Sequence, residues 1–332
     1  MPGARVRRDH RVVRSEVLEH YRLLGEETRL ATGAGRLEFL RTWDVLTRAL
    51  PGPPARVLDV GGATGAYAGP LARAGYDVHV VDPVPEHVAR SAALPGVSAA
   101  EGDARTLVEP DASYDAVLLL GPLYHLLDRA DRVRAWREAG RVVRPGGIVV
   151  GATIVRFASL LDGLARAFYR SPEFLPIVRT DLATGEHRVP VDKPQWFTTA
   201  YFHHPDELPA EVTDAGLRLV RTVAVEGPLW MIAELDAILA DEASTALLLN
   251  QLRLVEAEPS LFGASSHLLT LVTRSVPSGG APPAYRPGVR DEPDRPVRRG
   301  QQARGQPLAQ GVAARLVQRH DVSRCRSLAA GR

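Results

Sequence analysis

The 332-residue sequence contains few of the residues on which several protein classes depend. Its single cysteine, Cys325, excludes an internal disulfide framework and a cysteine-based zinc cluster. No apolar run approaches the ~18 residues that a membrane span requires, and no apolar stretch of the kind found in signal peptides follows the basic N-terminus. We therefore expect a soluble, cytoplasmic protein that does not enter a membrane.

The net charge of +2 conceals a difference between the ends of the chain and its body. Residues 1–14 carry five arginines and one aspartate, and residues 276–332 carry eleven arginines and four acidic residues. Once both ends are subtracted, residues 15–275 have a net charge near −9, which argues against nucleic-acid binding by the body. We predict that both ends are disordered, because their composition offers little apolar surface to bury.

A glycine-rich turn is the most informative local pattern in the chain. The apolar run Val57–Val60 leads into Gly61–Gly65, and helical spacing follows over 65–74. This order predicts a buried parallel strand that feeds a tight turn at a helix N-terminus. In such a turn, backbone N–H groups can approach a ligand closely.

An acidic residue ends the next apolar run. Asp82 follows residues 77–81 and lies 21 positions after Gly61. At the tip of a strand, an acidic residue at this spacing reaches ribose hydroxyls in nucleotide-binding folds. The two patterns together predict a cofactor that contains a nucleoside.

Strands and helices alternate through the first half of the chain. Strands are predicted near 56–61, 77–81, 97–101, 114–120 and 147–152, with helices near 65–74, 85–93 and 129–143. Further along, we predict a helix over 206–215, a sixth strand over 217–225, helices over 229–256 and a closing strand over 265–273. Repeated β-α units favour an open parallel sheet that binds its ligand at the carboxyl ends of the strands.

Residues 56–152 resemble a class I S-adenosylmethionine-dependent methyltransferase. The matching motifs, in family order, are Asp59 with Gly61 and Gly65, then Val81-Asp82, Gly102-Asp103-Ala104, the strand 114–120 and Arg144-Pro145-Gly146-Gly147. Ala63 departs from the family pattern, because it occupies the place of the middle glycine.

The resemblance implies an α/β, Rossmann-like fold with a seven-stranded, mostly parallel sheet and an antiparallel last strand. The expected methyltransferase domain covers residues 15–275. It includes an N-terminal helical cap over 15–50 and a lid insertion over 153–205.

The resemblance also implies a set of cofactor-binding residues. The glycine turn would line the methionine portion, Asp82 would accept from the ribose hydroxyls, and Asp103 and Ala104 would meet the adenine. The full predicted set is Asp59, Gly61, Gly62, Ala63, Gly65, Asp82, Asp103, Ala104, Leu120 and Gly121. Two alternatives stay open, namely that Asp82 caps the following helix and that Asp103 is an ordinary turn aspartate.

His125 is the candidate for the chemical step. It follows the fourth strand, where the family places residues that face the transferring methyl group. If the acceptor is a hydroxyl or an ammonium group, histidine can remove its proton near neutral pH. His125 is thus predicted as a base or an acceptor-orienting residue, and the alternative is a histidine that only packs at the end of a strand.

Five residues are predicted to contact the substrate: Tyr21, Arg29, Tyr124, Tyr201 and His203. We predict no metal site at His203-His204, since adjacent side chains on a strand point to opposite faces.

The predicted function is S-adenosylmethionine-dependent methyl transfer to a small-molecule acceptor by in-line displacement. One alternative is an NAD(P)-dependent oxidoreductase, which is disfavoured because residues 61–65 lack the G-x-G-x-x-G spacing. Another is a non-catalytic protein that binds S-adenosylmethionine. The identity of the acceptor and the oligomeric state stay open.

Overall fold

The computed structural model describes residues 29–274 except Val191 and Ala233. The predicted terminal segments and Tyr21 lie outside these described residues. No helix in the described part of the chain has the length and apolar character needed to cross a membrane.

The described residues form nine strands in one sheet. The strands are β1 Arg56–Val60, β2 Asp77–Asp82, β3 Val97–Glu101, β4 Tyr114–Leu119, β5 Val143–Val155, β6 Glu186–His187, β7 Ala200–His203, β8 Arg218–Ala224 and β9 His267–Thr273.

Helices connect and cover these strands. The α-helices in the described part are α1 Gly33–Ala49, α2 Ala68–Arg73, α3 Pro85–Ala92, α4 Pro122–His125, α5 Arg129–Val142, α6 Ala158–Ala165, α7 Phe174–Thr184, α8 Leu208–Asp214, α9 Leu235–Ala240 and α10 Glu242–Val255. Two long helices begin at aspartates that accept from backbone N–H groups of the first turn, Asp128 for α5 and Asp241 for α10.

Seven of the strands form the predicted doubly wound sheet. Strands β3, β2, β1, β4 and β5 run parallel in that spatial order. Strand β9 then pairs antiparallel with β5 and with β8. The predicted parallel sheet with an antiparallel last strand is therefore confirmed.

The prediction of seven strands needs a correction, because β6 and β7 join the same sheet. Strand β5 runs on to Val155, past the last residue of β5 that pairs with β4, Gly151. Ile154 pairs with His267 on one side and with Phe202 on the other. The extension of β5 thus offers a free edge beyond β4, and β7 occupies that edge.

Helices cover both faces of the sheet. On one face, Val45 and Leu46 of α1 and Leu71 of α2 share a buried cluster with the strands. On the other face, Trp136 of α5 and Val212 of α8 share the second large cluster. The carboxyl ends of the parallel strands are left as the open edge of the sheet, where ligands bind in such folds.

A helical cap is assembled from three separate parts of the chain. Leu37 of α1 shares a buried cluster with Leu235 and Leu239 of α9 and Leu252 of α10, and Leu161 of α6 packs against it. The lid predicted over 153–205 contains α6, α7, β6 and β7. Residues between β8 and β9 supply the third part of the cap.

Candidate functional site

The turn after β1 adopts backbone conformations that favour glycine. Gly61 and Gly65 have φ values of 71° and 87°. Ala63 also lies in the left-handed region, at 47°, which costs a residue with a Cβ atom about 1–2 kcal/mol. The departure from the family pattern therefore keeps the backbone shape of the turn.

This turn packs tightly against the turn after β4. A Cβ atom added to Gly61 would lie 2.8 Å from the ring of Pro122, and one added to Gly121 would lie 3.2 Å from the carbonyl oxygen of Gly61. The structure thus brings together two parts of the predicted cofactor site, the glycine turn and Leu120-Gly121.

Asp59 lies buried beneath the glycine turn. Its side chain is 1% exposed, and neither carboxylate oxygen has a hydrogen-bond partner among the described residues. A Cβ atom added to Gly62 would lie 2.6 Å from Asp59 Oδ2. Burial, and then the charge of Asp82, raise the pKa of Asp59 to about 7.

Unpartnered polar atoms beside a bare backbone fit a polar cofactor. The Thr64 hydroxyl in the same turn is also buried with no partner among the described residues. The Asp59 carboxyl group packs so closely under Gly62 that a side chain at this position would clash with it. The turn therefore combines closely packed glycines with buried polar groups that have no partner among the described residues.

Asp82 fixes the glycine turn to the end of β2. Its carboxylate accepts from the Ala63 N–H at 3.0 Å and from the Val84 N–H at 2.9 Å, and its Oδ1 lies 3.1 Å from His87 Nδ1. The bond to Val84 supports the alternative that Asp82 organises the start of α3. The bond to Ala63 also places the carboxylate beside the turn, and its contact with ribose stays a prediction.

Asp103 is held by an arginine that the sequence analysis did not single out. Arg105 donates to both oxygens of Asp103 and also donates to Asp131 at 2.9 Å. Partial burial acts to raise the pKa of Asp103, but the hydrogen bonds and charge of Arg105 hold it below its ordinary value. Ala104 is buried in the core cluster. An adenine contact by Asp103 would share its carboxylate with Arg105.

Helix α4 carries the candidate catalytic residue. His125 Nδ1 lies 3.4 Å from the carbonyl oxygen of Thr199. Because a carbonyl oxygen only accepts, this contact favours the tautomer with the proton on Nδ1, which leaves Nε2 as the basic nitrogen. Tyr124 packs edge-on against His125 and donates its hydroxyl to the carbonyl oxygen of Leu120 at 3.2 Å.

Phe197 of the lid lies against both of these residues. Its ring centroid is 6.2 Å from that of His125 and 6.4 Å from that of Tyr124. All three side chains are half-buried. Sequence reasoning did not single out Phe197, because only the folding of the lid brings it to α4.

The predicted substrate contact His203 lies inside the protein. Its side chain is fully buried, and its Nε2 lies 3.4 Å from Glu211 Oε2. Burial lowers the pKa of His203 even though Glu211 acts to raise it. This placement does not support contact with a substrate that enters from the carboxyl edge.

Tyr201 and Arg29 are also engaged within the protein. The Tyr201 hydroxyl donates to Glu207 at 3.1 Å, and the Arg132 guanidinium lies over its ring at 3.7 Å from the centroid. Arg132 also donates to the carbonyl oxygens of residues 126 and 127, just after α4. Arg29 donates to Glu38 at 2.9 Å. Through Arg132, Tyr201 therefore helps to hold the residues that follow α4 in place.

A second charged cluster lies at the carboxyl edge, at the start of β9. Side-chain ligand atoms of Glu38, Glu226 and His267 lie within 4.8 Å of one another. His267 Nδ1 is 2.6 Å from Glu226 Oε1. Burial acts to lower the pKa of His267, but the two carboxylates outweigh it and raise this pKa to about 9. With this pKa, His267 is an imidazolium at neutral pH, and it is ion-paired with the two carboxylates.

Comparisons with known proteins identify the family to which this chain is similar. The family described as Methyltransferase domain matches residues 57–147. An uncharacterized methyltransferase of Mycobacterium tuberculosis is 43% identical over 99 residues, which cover 30% of this chain and 39% of that protein. A ubiquinone biosynthesis O-methyltransferase of Azorhizobium caulinodans is 33% identical over 215 residues, which cover 60% of this chain and 76% of that protein.

A solved structure shares the fold. A protein of Pyrococcus horikoshii superposes with a TM-score of 0.51 at 14% identity, over 77% of this chain and 99% of that one. At this identity the similarity concerns the fold alone.

Proposed function

Because this chain belongs to the S-adenosylmethionine-dependent methyltransferase family, we propose that it transfers the methyl group of that cofactor to a small-molecule acceptor. The observation that carries the proposal is the unpartnered, buried Asp59 beneath a glycine turn that Asp82 fixes in place.

The cofactor supplies an electrophilic methyl group on a sulfonium. Asp59 and the backbone of Gly61–Gly65 would hold its methionine portion, and Asp82 would accept from its ribose hydroxyls. Leu120 and Gly121 would close the site from the β4 side, where Gly121 already approaches Gly61. The stiffness of this close packing keeps the site in one geometry, which a displacement reaction requires.

His125 would remove the proton of the acceptor. Nε2 of His125 would accept the proton that the acceptor gives up, and the contact of Nδ1 with the Thr199 carbonyl would hold the ring in the orientation that this needs. Tyr124 would orient the acceptor beside it. Several relatives are ubiquinone biosynthesis O-methyltransferases, which supports oxygen as the acceptor atom.

The size and chemistry of the acceptor follow from the surroundings of His125. Aromatic rings of Tyr124 and Phe197 border it, and such surfaces favour a planar, partly apolar ligand. The net charge near −9 of residues 15–275 supports a small molecule over a nucleic acid. We therefore propose an aromatic hydroxyl as the acceptor group.

The test compares wild-type protein with His125→Gln, which keeps a polar side chain but removes the base. We expect S-adenosylmethionine binding, measured by calorimetry, to stay unchanged. Transfer of a radiolabelled methyl group to catechol should fall by about 10²–10⁴-fold, the typical contribution of a general base. His204→Gln, which changes an exposed lid histidine, is the control and should keep wild-type turnover. Equal turnover in His125→Gln would remove His125 from the mechanism.

A further inference from the structure

Phe197 has a backbone conformation that a bulky side chain rarely adopts. Its φ is 83°, in the left-handed region. A bulky residue at positive φ is an outlier that costs of order 1–3 kcal/mol. Such strain persists only where the neighbouring structure imposes it, and it concentrates at functional sites.

The residues on both sides of Phe197 impose this conformation. Before it, the Trp196 side chain is buried among Phe174 and Val178. The Trp196 carbonyl oxygen lies 2.9 Å from His187 Nε2, and His187 Nδ1 lies 2.9 Å from Asp181 Oδ2.

After Phe197, buried residues continue directly into the sheet. Thr198 and Thr199 are 3% and 5% exposed, and β7 begins at the next residue. The chain is thus fixed one residue before Phe197 and one residue after it, so the strain cannot relax by a shift of the loop.

The strained backbone presents the ring to α4. The rings of Phe197 and His125 are nearly parallel, with an interplanar angle of 26° and centroids 6.2 Å apart. Two rings at this separation are in contact, so no third ring fits between them. Tyr124 borders the same space. An acceptor that reaches His125 must therefore displace Phe197 or be small enough to pass it.

We propose that Phe197 is the gate of the acceptor pocket, whose ring covers His125 and sets the size of the planar acceptor that reaches it. This inference rests on the proposed function for its acceptor, but the covering of His125 can be tested without any substrate. Phe197 is then a specificity-determining residue of the lid.

The first experiment measures the reaction of His125 with diethyl pyrocarbonate, followed by mass spectrometry of the modified peptides. We expect Phe197→Ala and Phe197→Gly to raise the rate at His125 by roughly threefold or more, since the reactivity of a covered group follows the fraction of time for which it is uncovered. Tyr169→Ala removes an exposed aromatic ring of the lid and should leave the rate unchanged. Modification of exposed His204 serves as the internal reference. An unchanged rate at His125 in both Phe197 variants would overturn the proposal that Phe197 covers His125.

A second readout separates the ring from the strained backbone. Glycine adopts positive φ with less strain than alanine, so Phe197→Gly should unfold about 2–4 °C above Phe197→Ala. If both variants unfold at the same temperature, the residue is not strained, and the argument from imposed conformation fails.

Acceptor size is the third readout. With radiolabelled S-adenosylmethionine, the ratio of methyl transfer to 4-phenylcatechol over transfer to catechol should rise in Phe197→Ala by roughly fivefold, and an unchanged ratio contradicts the role in selectivity. If no form of the protein methylates either catechol, the proposed acceptor class is wrong. The diethyl pyrocarbonate comparison still decides whether Phe197 covers His125.

Discussion

The pKa of the Asp59 carboxyl group lies well above its ordinary value. Its carboxylate is buried, lacks a partner among the described residues and is repelled by the charge of Asp82. A buried charged group without a hydrogen-bond partner destabilises the folded protein. A polar ligand that formed hydrogen bonds with it would recover this stability.

We therefore predict that Asp59→Asn changes how the stability of the cofactor-free protein depends on pH. The folded pKa of about 7 lies above the ordinary value of 3.8, so the folded state holds this proton more tightly than the unfolded state. The stability that the proton confers is complete below the ordinary pKa and is lost as the pH rises through 7. Relative to the variant, wild-type protein should lose free energy of unfolding between about pH 4 and about pH 7.

Urea denaturation across this pH range measures the difference. Asp206→Asn, at an aspartate whose side chain is 90% exposed, is the control and should follow wild type. If the difference in free energy of unfolding between wild type and Asp59→Asn stayed constant over the whole pH range, the pKa of Asp59 would not be shifted in the folded protein.

The sequence indicated some site residues and not others for a physical reason. Gly61 and Asp82 occupy motif positions within one β-α-β unit, so their spacing alone places them together. Arg105 and Phe197 depend on contacts that form only in the folded chain, with Asp103 and with His125. His203 was chosen for its type and neighbours, and its burial against Glu211 could not be read from either.

At the scale of elements, His267 joins the cap to the sheet. It opens β9 and lies between Glu226, which follows β8, and Glu38 of α1, whose carboxylate is 3.9 Å away. Arg29 also faces this cluster through Glu38. Ser265 donates to Glu226 as well, so the two ends of the insertion between β8 and β9 meet here.

We predict that His267→Gln weakens this junction at neutral pH and has less effect in alkali. The folded pKa of about 9 lies above 6.5, so the contribution of His267 is complete below 6.5 and is lost as the pH rises through 9. The difference corresponds to roughly 3 kcal/mol at most.

Thermal unfolding at about pH 6.5 and about pH 10 tests whether the stabilisation by His267 is lost as the pH rises. The melting temperature of wild type should exceed that of His267→Gln at the lower pH, and the two should converge at the higher one. His79→Gln, which changes a histidine on β2, is the control. A gap that widens in alkali would mean that His267 is neutral in the folded protein.

The two strands of the lid, β6 and β7, could not be predicted from the local sequence pattern. Strand β6 has two residues and β7 has four, too few for a period to be recognised. Both strands exist because β5 extends to Val155 and offers its edge to Phe202 and His203. The predicted strand over 147–152 was too short to reveal that edge.

At the scale of the whole molecule, the sheet could be predicted, but the way in which the helices of the cap pack together could not. Alternating strands and helices, with apolar runs at the strands, determine a doubly wound sheet through short-range rules of connection. The cap depends on packing between Leu37 and the distant Leu235 and Leu239. Helical spacing over 229–256 predicted the helices there but not which helices they would meet.

The central claim is that the carboxyl edge of this sheet binds S-adenosylmethionine through the glycine turn and Asp82. Calorimetric titration of the full chain with S-adenosylmethionine tests it most directly, with NADH as the competing ligand. We predict binding of S-adenosylmethionine alone and a loss of at least tenfold in affinity, about 1.4 kcal/mol, in Asp82→Ala. Asp77→Ala, at the other end of the same strand, should bind as wild type does. Failure to bind S-adenosylmethionine, or binding of NADH in its place, would contradict the account.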